Sequence, residues 1–148
     1  MKIREITECD RPDWIRLRDA LWPGSLPDHD VETRRYFETR ADRPIVFVAD
    51  SGGRLVGFLE LDLRKYAPGC ASSPVPFVEG WYVEPSMRGQ GIGRALMDAA
   101  EAHARAAGHH EIASDAELDN SAGIAAHGAM GYEEVERTVC FRKSLSAR

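Results

Sequence analysis

The stretch Glu79-Gly80-Trp81-Tyr82-Val83-Glu84-Pro85-Ser86-Met87-Arg88-Gly89-Gln90-Gly91-Ile92-Gly93 decides the fold. It reads as a strand, a stop at Pro85, a glycine-rich loop and a helix opening at Gly91 or just before it. Pro85 has no N–H and cannot extend a central strand. Gly89, Gly91 and Gly93 let the backbone take unusual dihedrals and approach a ligand closely. The helix start behind them carries unbonded N–H groups and the positive end of its dipole. Together these features predict a pyrophosphate site. The spacing excludes two common versions of such a site. No Gly-Lys-Ser/Thr follows, as a nucleotide-hydrolase phosphate loop requires. No N-terminal βαβ unit surrounds the loop, as a dinucleotide fold requires.

Working outward, the chain alternates strands and helices. Lys2 to Ile6 reads as a first strand. Asp10 caps a helix from Arg11 to Trp22 with Trp14, Leu17 and Leu21 on its apolar stripe, and Pro23 stops it. Trp22 at that helix end reads either as a lid on the core or as a ligand platform. A second helix opens at Asp28 or Asp30 and runs to Arg40; its stripe of Val31, Tyr36 and Phe37 predicts a cover over the core rather than a part of it. Strands are predicted at Ile45–Ala49, Arg54–Arg64, Val75–Glu84 and Glu111–Asp115. The long one sets Leu55, Leu59, Leu61 and Leu63 against Glu60 and Asp62. The helix after the glycine loop runs from Gly91 to Ala107, with Ile92, Ala95, Leu96, Ala99 and Ala106 on one face and Gly108 at its end. Asp119 is expected to cap a short helix from Asn120 to Met130, and Tyr132 to Lys143 reads as mostly extended. Strand, helix and strand around the glycine loop predict two parallel strands in one sheet. The fold class expected is α+β, a mixed sheet with helices on both faces, as one domain over residues 1–148.

The bulk numbers agree with an ordinary globular domain. The chain has 148 residues, 43% hydrophobic and 29% charged, with a formal net charge of −5. The acidic balance argues against nucleic acid as a partner and for a cationic one. Cys9, Cys70 and Cys140 are odd in number and lack metal spacing, which predicts reduced thiols in a cytoplasmic protein. The five histidines form no metal constellation, so no metal is expected. There is no apolar signal segment and no membrane-spanning run.

Arg88-Gly89-Gln90-Gly91-Ile92-Gly93 matches the Arg/Gln-x-x-Gly-x-Gly/Ala signature of the Gcn5-related N-acetyltransferase (GNAT) superfamily. A narrower resemblance rests on Trp22-Pro23, Ser73-Pro74-Val75, Phe77-Val78-Glu79-Gly80, Ala113-Ser114-Asp115-Ala116-Glu117-Leu118-Asp119-Asn120 and Gly131-Tyr132-Glu133-Glu134-Val135-Glu136-Arg137. On these segments the chain resembles the aminoglycoside 6'-N-acetyltransferases over nearly its whole length. That resemblance implies acetyl transfer from acetyl-CoA to the 6'-amine of an aminoglycoside, conferring resistance. It implies that Trp81, Tyr82 and Val83 line acetyl-CoA, with the Val83 N–H polarising the thioester carbonyl. Arg88, Gly89, Gln90, Gly91, Ile92, Gly93 and Arg94 would hold the pyrophosphate, and Asn120 the cofactor arm. Trp22, Ser25, Tyr66, Glu79, Asp115 and Glu136 would line the acceptor site. Ser25 stands near where the family often carries a histidine. The resemblance also implies a homodimer built with the C-terminal stretch.

Acetyl transfer to an amine needs a neutral nucleophile, donors for the oxyanion and a departing thiolate. An alkylammonium holds its proton to roughly pH 10, as lysine does, so a carboxylate near the amine is needed to accept that proton. Glu79 and Asp115 fall in apolar strands, where an unpaired charge is costly. They are the expected catalytic pair, with Asp115 as proton acceptor and Glu79 as relay or anchor. Glu117 and Asp119 flank a helix start and read as caps. Two other functions fit parts of the pattern. A GNAT acting on a peptide N-terminus, a polyamine or a small metabolite would keep the fold and the loop, and one acting on peptides is expected to lack the acidic cluster around Glu79, Asp115 and Glu136. A non-catalytic acyl-CoA-binding module would keep the loop and turn over no amine.

Overall fold

The structure, a computed structural model, describes residues 1–146; Ala147 and Arg148 of the domain expected over 1–148 lie outside the described residues. Its elements are β1 (Lys2–Glu5), α1 (Arg11–Leu21), α2 (Leu26–Glu38), β2 (Ile45–Ser51), β3 (Arg54–Arg64), β4 (Val75–Val83), α3 (Ile92–Ala106), β5 (Ala113–Ser114) and α4 (Ser121–Ala129). They fall into two compact units, residues 1–115 and the segment from Ala116 onward.

The first unit is a five-stranded mixed sheet in the order β1-β2-β3-β4-β5, antiparallel except for the parallel pair β4–β5. Helices cover both faces, and two neighbouring residues of β3 show it. Phe58 packs with Trp14, Leu17 and Tyr36 of α1 and α2. A Cβ added at Gly57 would meet Leu96 of α3 at 3.3 Å. Successive strand residues point to opposite faces, so α1 and α2 lie on one side and α3 on the other. This is the α+β layout expected. Trp14, Leu17, Phe58 and Leu96 are wholly enclosed, and burying a large apolar side chain contributes roughly 1.5–3 kcal/mol.

Several local expectations change. The buried stripe of α2 is His29, Thr33 and Tyr36, not Val31, Tyr36 and Phe37, so α2 builds the core. Polar side chains at two of those positions hide the periodicity. Both are bonded internally, Thr33 Oγ1 donating to the His29 carbonyl at 2.7 Å. The α3 face is Ile92, Leu96, Met97, Ala100 and Ala104, while Ala106 is exposed. Along β3 the expected polar side is closed off: Glu60 is buried, whereas Leu63 at the strand's end is exposed. β5 shrinks to two residues, leaving Asp115 just beyond it.

In the second unit Asn120, not Asp119, caps α4, its Oδ1 accepting from the Gly123 N–H at 3.0 Å. The stretch Tyr132–Lys143, expected to be mostly extended, belongs to no strand of the sheet. Its apolar side chains are open: Val139 is 68% and Phe141 93% exposed.

Candidate active site

The glycine loop forms as its residues require. Gly89 and Gly91 have φ of +79° and +82°, a left-handed conformation that other L-residues avoid. Gly91 is the N-cap of α3, and a Cβ at either glycine would meet nothing within 4 Å. Backbone dihedral, not crowding, therefore demands glycine at both positions, and the loop surface stays open beside the helix start. Ile92 anchors the loop by burying its side chain against the core. Trp81 reaches from β4 and donates its indole N–H to the Gly93 carbonyl at 3.0 Å, pinning the first turn of α3 to the strand. Arg88 folds back: its Nε donates to the Val83 carbonyl at 2.8 Å and its guanidinium lies 5.4 Å from the Tyr82 ring.

The strand before the loop opens away from its neighbour. β4 pairs with β5 at Phe77↔Ala113 and Val78↔Ser114, where the recorded pairing ends. Against β3 the register passes from Leu61↔Val78 to Glu60↔Gly80, so Glu79 is the extra residue of a bulge. Bulges bend a strand and re-aim side chains. Beyond the bulge, the Glu84 N–H donates to the Val56 carbonyl of β3 at 2.9 Å. Alternate residues of a strand turn their N–H groups to opposite edges. The N–H groups of Trp81 and Val83 therefore face the outer edge of β4.

The two expected catalytic carboxylates follow the last β4–β5 pair in register, but their surroundings differ from those expected. Glu79 is neither deeply buried nor unpaired. Arg64 of β3 forks onto it, Nε to Oε2 at 2.8 Å and Nη2 to Oε1 at 2.7 Å. The same guanidinium lies 3.5 Å from the Phe77 ring centroid. Arg64 is also near enough to Asp115 to feel its charge; with the Glu79 bonds this holds the guanidinium's pKa above its ordinary value. Asp115 itself is exposed. Unpaired burial is thus not what singles these two residues out. Their shared feature is the place where the parallel strands part, next to one arginine.

Beside Glu79 opens a cleft of about 370 Å³ that also contains Trp22 and Ser25. Three residues expected at the acceptor site, Trp22 and Ser25 from just beyond the end of α1 and Glu79 from β4, therefore meet. Asp28, Glu32 and Glu60 add carboxylates, so four acidic side chains line the cleft against the single guanidinium of Arg18. Arg18 is already engaged: it donates to Glu60 at 2.7 and 2.9 Å and pairs with Glu32. Burial pushes the Glu60 carboxyl upward, opposed by Arg18 and by the Trp14 indole, which donates to it at 3.0 Å. Glycine at position 80 makes room for Trp22, since a Cβ there would sit 2.6 Å from the indole Cη2. A second cleft of about 380 Å³, between Glu8, Arg11, Arg34 and Glu38, holds none of the expected site residues.

Tyr66 stands on the exposed loop after β3, 69% open. That loop is tied down by Ala67, which is fully buried, and by Glu111, which accepts the backbone N–H groups of Ala71 and Ser72 at 3.0 and 2.7 Å. Asn120 and Glu136 belong to the second unit. The Asn120 Oδ1 is spent on its helix cap, and Glu136 is exposed and accepts from Thr138 Oγ1 at 2.9 Å. Reading the sequence did not find Arg18, His29 or Arg64. The available signals were a charged residue one turn after Trp14 on an apolar stripe and a histidine in step with Thr33 and Tyr36. Among the described residues no cluster could hold a metal ion, and no helix is long and apolar enough to cross a membrane. Cys9, Cys70 and Cys140 are free thiols.

The model of the acetyltransferase (GNAT) family matches residues 11–132. An aminoglycoside N(6')-acetyltransferase type 1 from Klebsiella aerogenes is 42% identical, covering 97% of this chain and 96% of its own. The protein of the same description from Stenotrophomonas maltophilia is also 42% identical, covering 97% and 93%. Among solved structures, AAC(6')-Iy in complex with the bisubstrate analogue CoA-S-monomethyl-acetylneamine superposes with a TM-score of 0.88 at 35% identity, covering 97% of each chain. AAC(6')-IG from Acinetobacter haemolyticus, without ligand, also gives 0.88, at 34% identity over 99% and 100%. With its glycine loop, parted parallel strands and acidic cleft, the chain belongs to the acetyltransferase (GNAT) family, grouped with the aminoglycoside N(6')-acetyltransferases.

Proposed function

We propose that this protein transfers the acetyl group of acetyl-CoA directly to the 6'-amine of aminoglycosides, conferring resistance to them. The observation that carries this reading is the convergence of Trp22, Ser25 and Glu79 in one cleft where carboxylates outnumber cations. Exposed ion pairs contribute only about 0.2–1 kcal/mol each. A polycation needs several, and the cleft supplies them.

In this mechanism the N-terminal end of α3 and the loop Arg88–Gly93 take the pyrophosphate, with Arg94 beside them. Trp81, Tyr82 and Val83 receive the pantetheine along the outer edge of β4. The Val83 N–H, turned to that edge, donates to the developing oxyanion, a contribution of about 3 kcal/mol. Glu79, held in orientation by Arg64, anchors the acceptor while keeping lone pairs for its amine. Asp115 accepts the proton, directly or through water. Tyr66 completes the acceptor site within the first unit.

The whole chain works as one catalytic domain, in keeping with a family match that spans both compact units. The exposed tail with Val139 and Phe141 supports a homodimer, because open apolar side chains on a segment outside the sheet are stabilised by a second copy. Phe141→Glu is expected to shift the protein toward monomer in sedimentation; an unchanged dimer refutes that role for the tail. The free thiols support a cytoplasmic location.

Steady-state turnover with kanamycin or tobramycin, beside the same drugs lacking the 6'-amine, tests the central reading. Turnover that requires the 6'-amine and falls sharply in Asp115→Asn is expected. Acetyl-CoA binding without turnover of any aminoglycoside would refute it.

A further inference from the structure

The buried imidazole of His29 takes no part in the chemistry above, yet it lies in the wall of the acceptor cleft and touches both α1 and its C-terminal turn. Its Nδ1 faces the Arg18 Nε at 3.2 Å, and its Nε2 faces the Trp22 carbonyl at 3.0 Å. Arginine Nε–H can only donate. Nδ1 is therefore the acceptor, the ring proton sits on Nε2, and Nε2–H donates to Trp22.

The Trp22 carbonyl needs that bond. It ends α1, and Pro23 follows with no N–H to prolong the helix. The turn through Gly24, at φ +88°, brings α2 back so that its His29 reaches the carbonyl left behind. The Trp22 ring is then placed by four contacts: Arg18 at 5.1 Å, Phe58 at 6.2 Å, the His29 ring itself at 6.3 Å, and the backbone of Gly80, one residue from Glu79.

We propose that His29 is a positioning residue for the acceptor: it fixes the Trp22 carbonyl, and so sets the indole against Gly80 at the wall of the acidic cleft. The inference builds on the acceptor cleft of the proposed function, and it assigns a role to a residue outside the reacting groups. It predicts an effect on the acceptor side alone, because the cofactor loop begins at Arg88, beyond the far end of β4.

Two amide substitutions separate the two halves of the imidazole. His29→Gln keeps a donor near the Nε2 position and loses the Nδ1 acceptor. His29→Asn keeps the acceptor and loses the donor. With kanamycin as acceptor, loss of one such bond raises its KM by about 3- to 10-fold in His29→Asn. In His29→Gln it stays within about twofold, and the KM for acetyl-CoA stays within about twofold in both. Both variants lose the ring beside the indole, so the ¹⁵N-resolved indole N–H resonance of Trp22, assigned by its loss in Trp22→Phe, is expected to move further in His29→Asn than in His29→Gln. Equal behaviour of the two variants, or equal effects on both substrates, overturns the proposal. The resonance also keeps the two readings apart. If the native protein turns over no aminoglycoside, the proposed function fails, and a Trp22 signal that moves no further in His29→Asn than in His29→Gln is still needed to overturn the positioning role. Should His29→Asn not fold, Gly80→Ala presses on the same indole from the strand side. It is expected to raise the acceptor KM alone, and an unchanged acceptor KM in that variant overturns the proposal.

Discussion

Removing the charge of Glu60 without changing its size isolates the ion pair at the heart of the first unit. Glu60 is 8% exposed and accepts three hydrogen bonds, two from Arg18 and one from the Trp14 indole. The Arg18 guanidinium lies 5.5 Å from the Trp14 ring and 5.1 Å from that of Trp22. In Glu60→Gln the new amide group must face a donor on one side or the other, and Arg18 keeps His29 as an acceptor but only the more exposed Glu32 as a charged partner. Breaking a buried pair by removing one partner costs about 3–5 kcal/mol. The partner left at Glu32 offsets part of that, so a loss of about 2–4 kcal/mol is expected. For a chain of this size that lowers Tm by roughly 5–15 °C. Denaturant unfolding followed by tryptophan fluorescence measures it. The double variant Arg18→Met, Glu60→Leu replaces the pair by apolar groups and is expected to recover most of the loss. A single-variant loss below about 1 kcal/mol, or a double variant no better than the single, would refute this account of the pair.

Gly91→Ala places a side chain at φ +82° and is expected to cost about 1–2 kcal/mol and to raise the KM for acetyl-CoA more than that for the acceptor; equal stability by thermal melting would contradict the backbone argument. Arg54 and Arg16 hold the Glu84 carboxyl below its ordinary value, so the unfolded chain binds more protons there and the contribution is lost as pH falls below the usual carboxylate range. Glu84→Gln is therefore expected to flatten the acid side of the stability profile, and an unchanged slope would deny that group a part in it. Arg64→Lys keeps the charge but not the two-pronged grip on Glu79. Acceptor kcat/KM is expected to fall severalfold with acetyl-CoA KM unchanged, and no change would mean that Glu79 needs no orientation.

The glycine loop and the strand before it were legible in the sequence because their constraints are local. Pro85 stops the strand by lacking an N–H, and Gly89 and Gly91 are the residues that the observed positive φ values require. Trp22 and Ser25 were legible as acceptor residues through the resemblance, and the cleft does bring them to Glu79. The surroundings of the carboxylates were not legible. Glu79 was expected to be unpaired, and what pairs it is Arg64, fifteen positions earlier on the neighbouring strand. Only the antiparallel register of β3 and β4, with its bulge at Glu79, decides that meeting.

By itself, then, the sequence determined the order and type of most elements, the glycine turn before α3 and the place of Glu79 at the end of the parallel pair. Those properties depend on residue type and short-range spacing, which steric and hydrogen-bonding rules read directly. Tertiary structure decided which polar side chains are enclosed. Arg18, His29 and Glu60 come from α1, α2 and β3 and are tolerable in the interior because Arg18 bonds both of the others. A polar residue far from its partner in sequence looks like a surface residue until the fold supplies the partner, and that is a property of packing rather than of any local pattern.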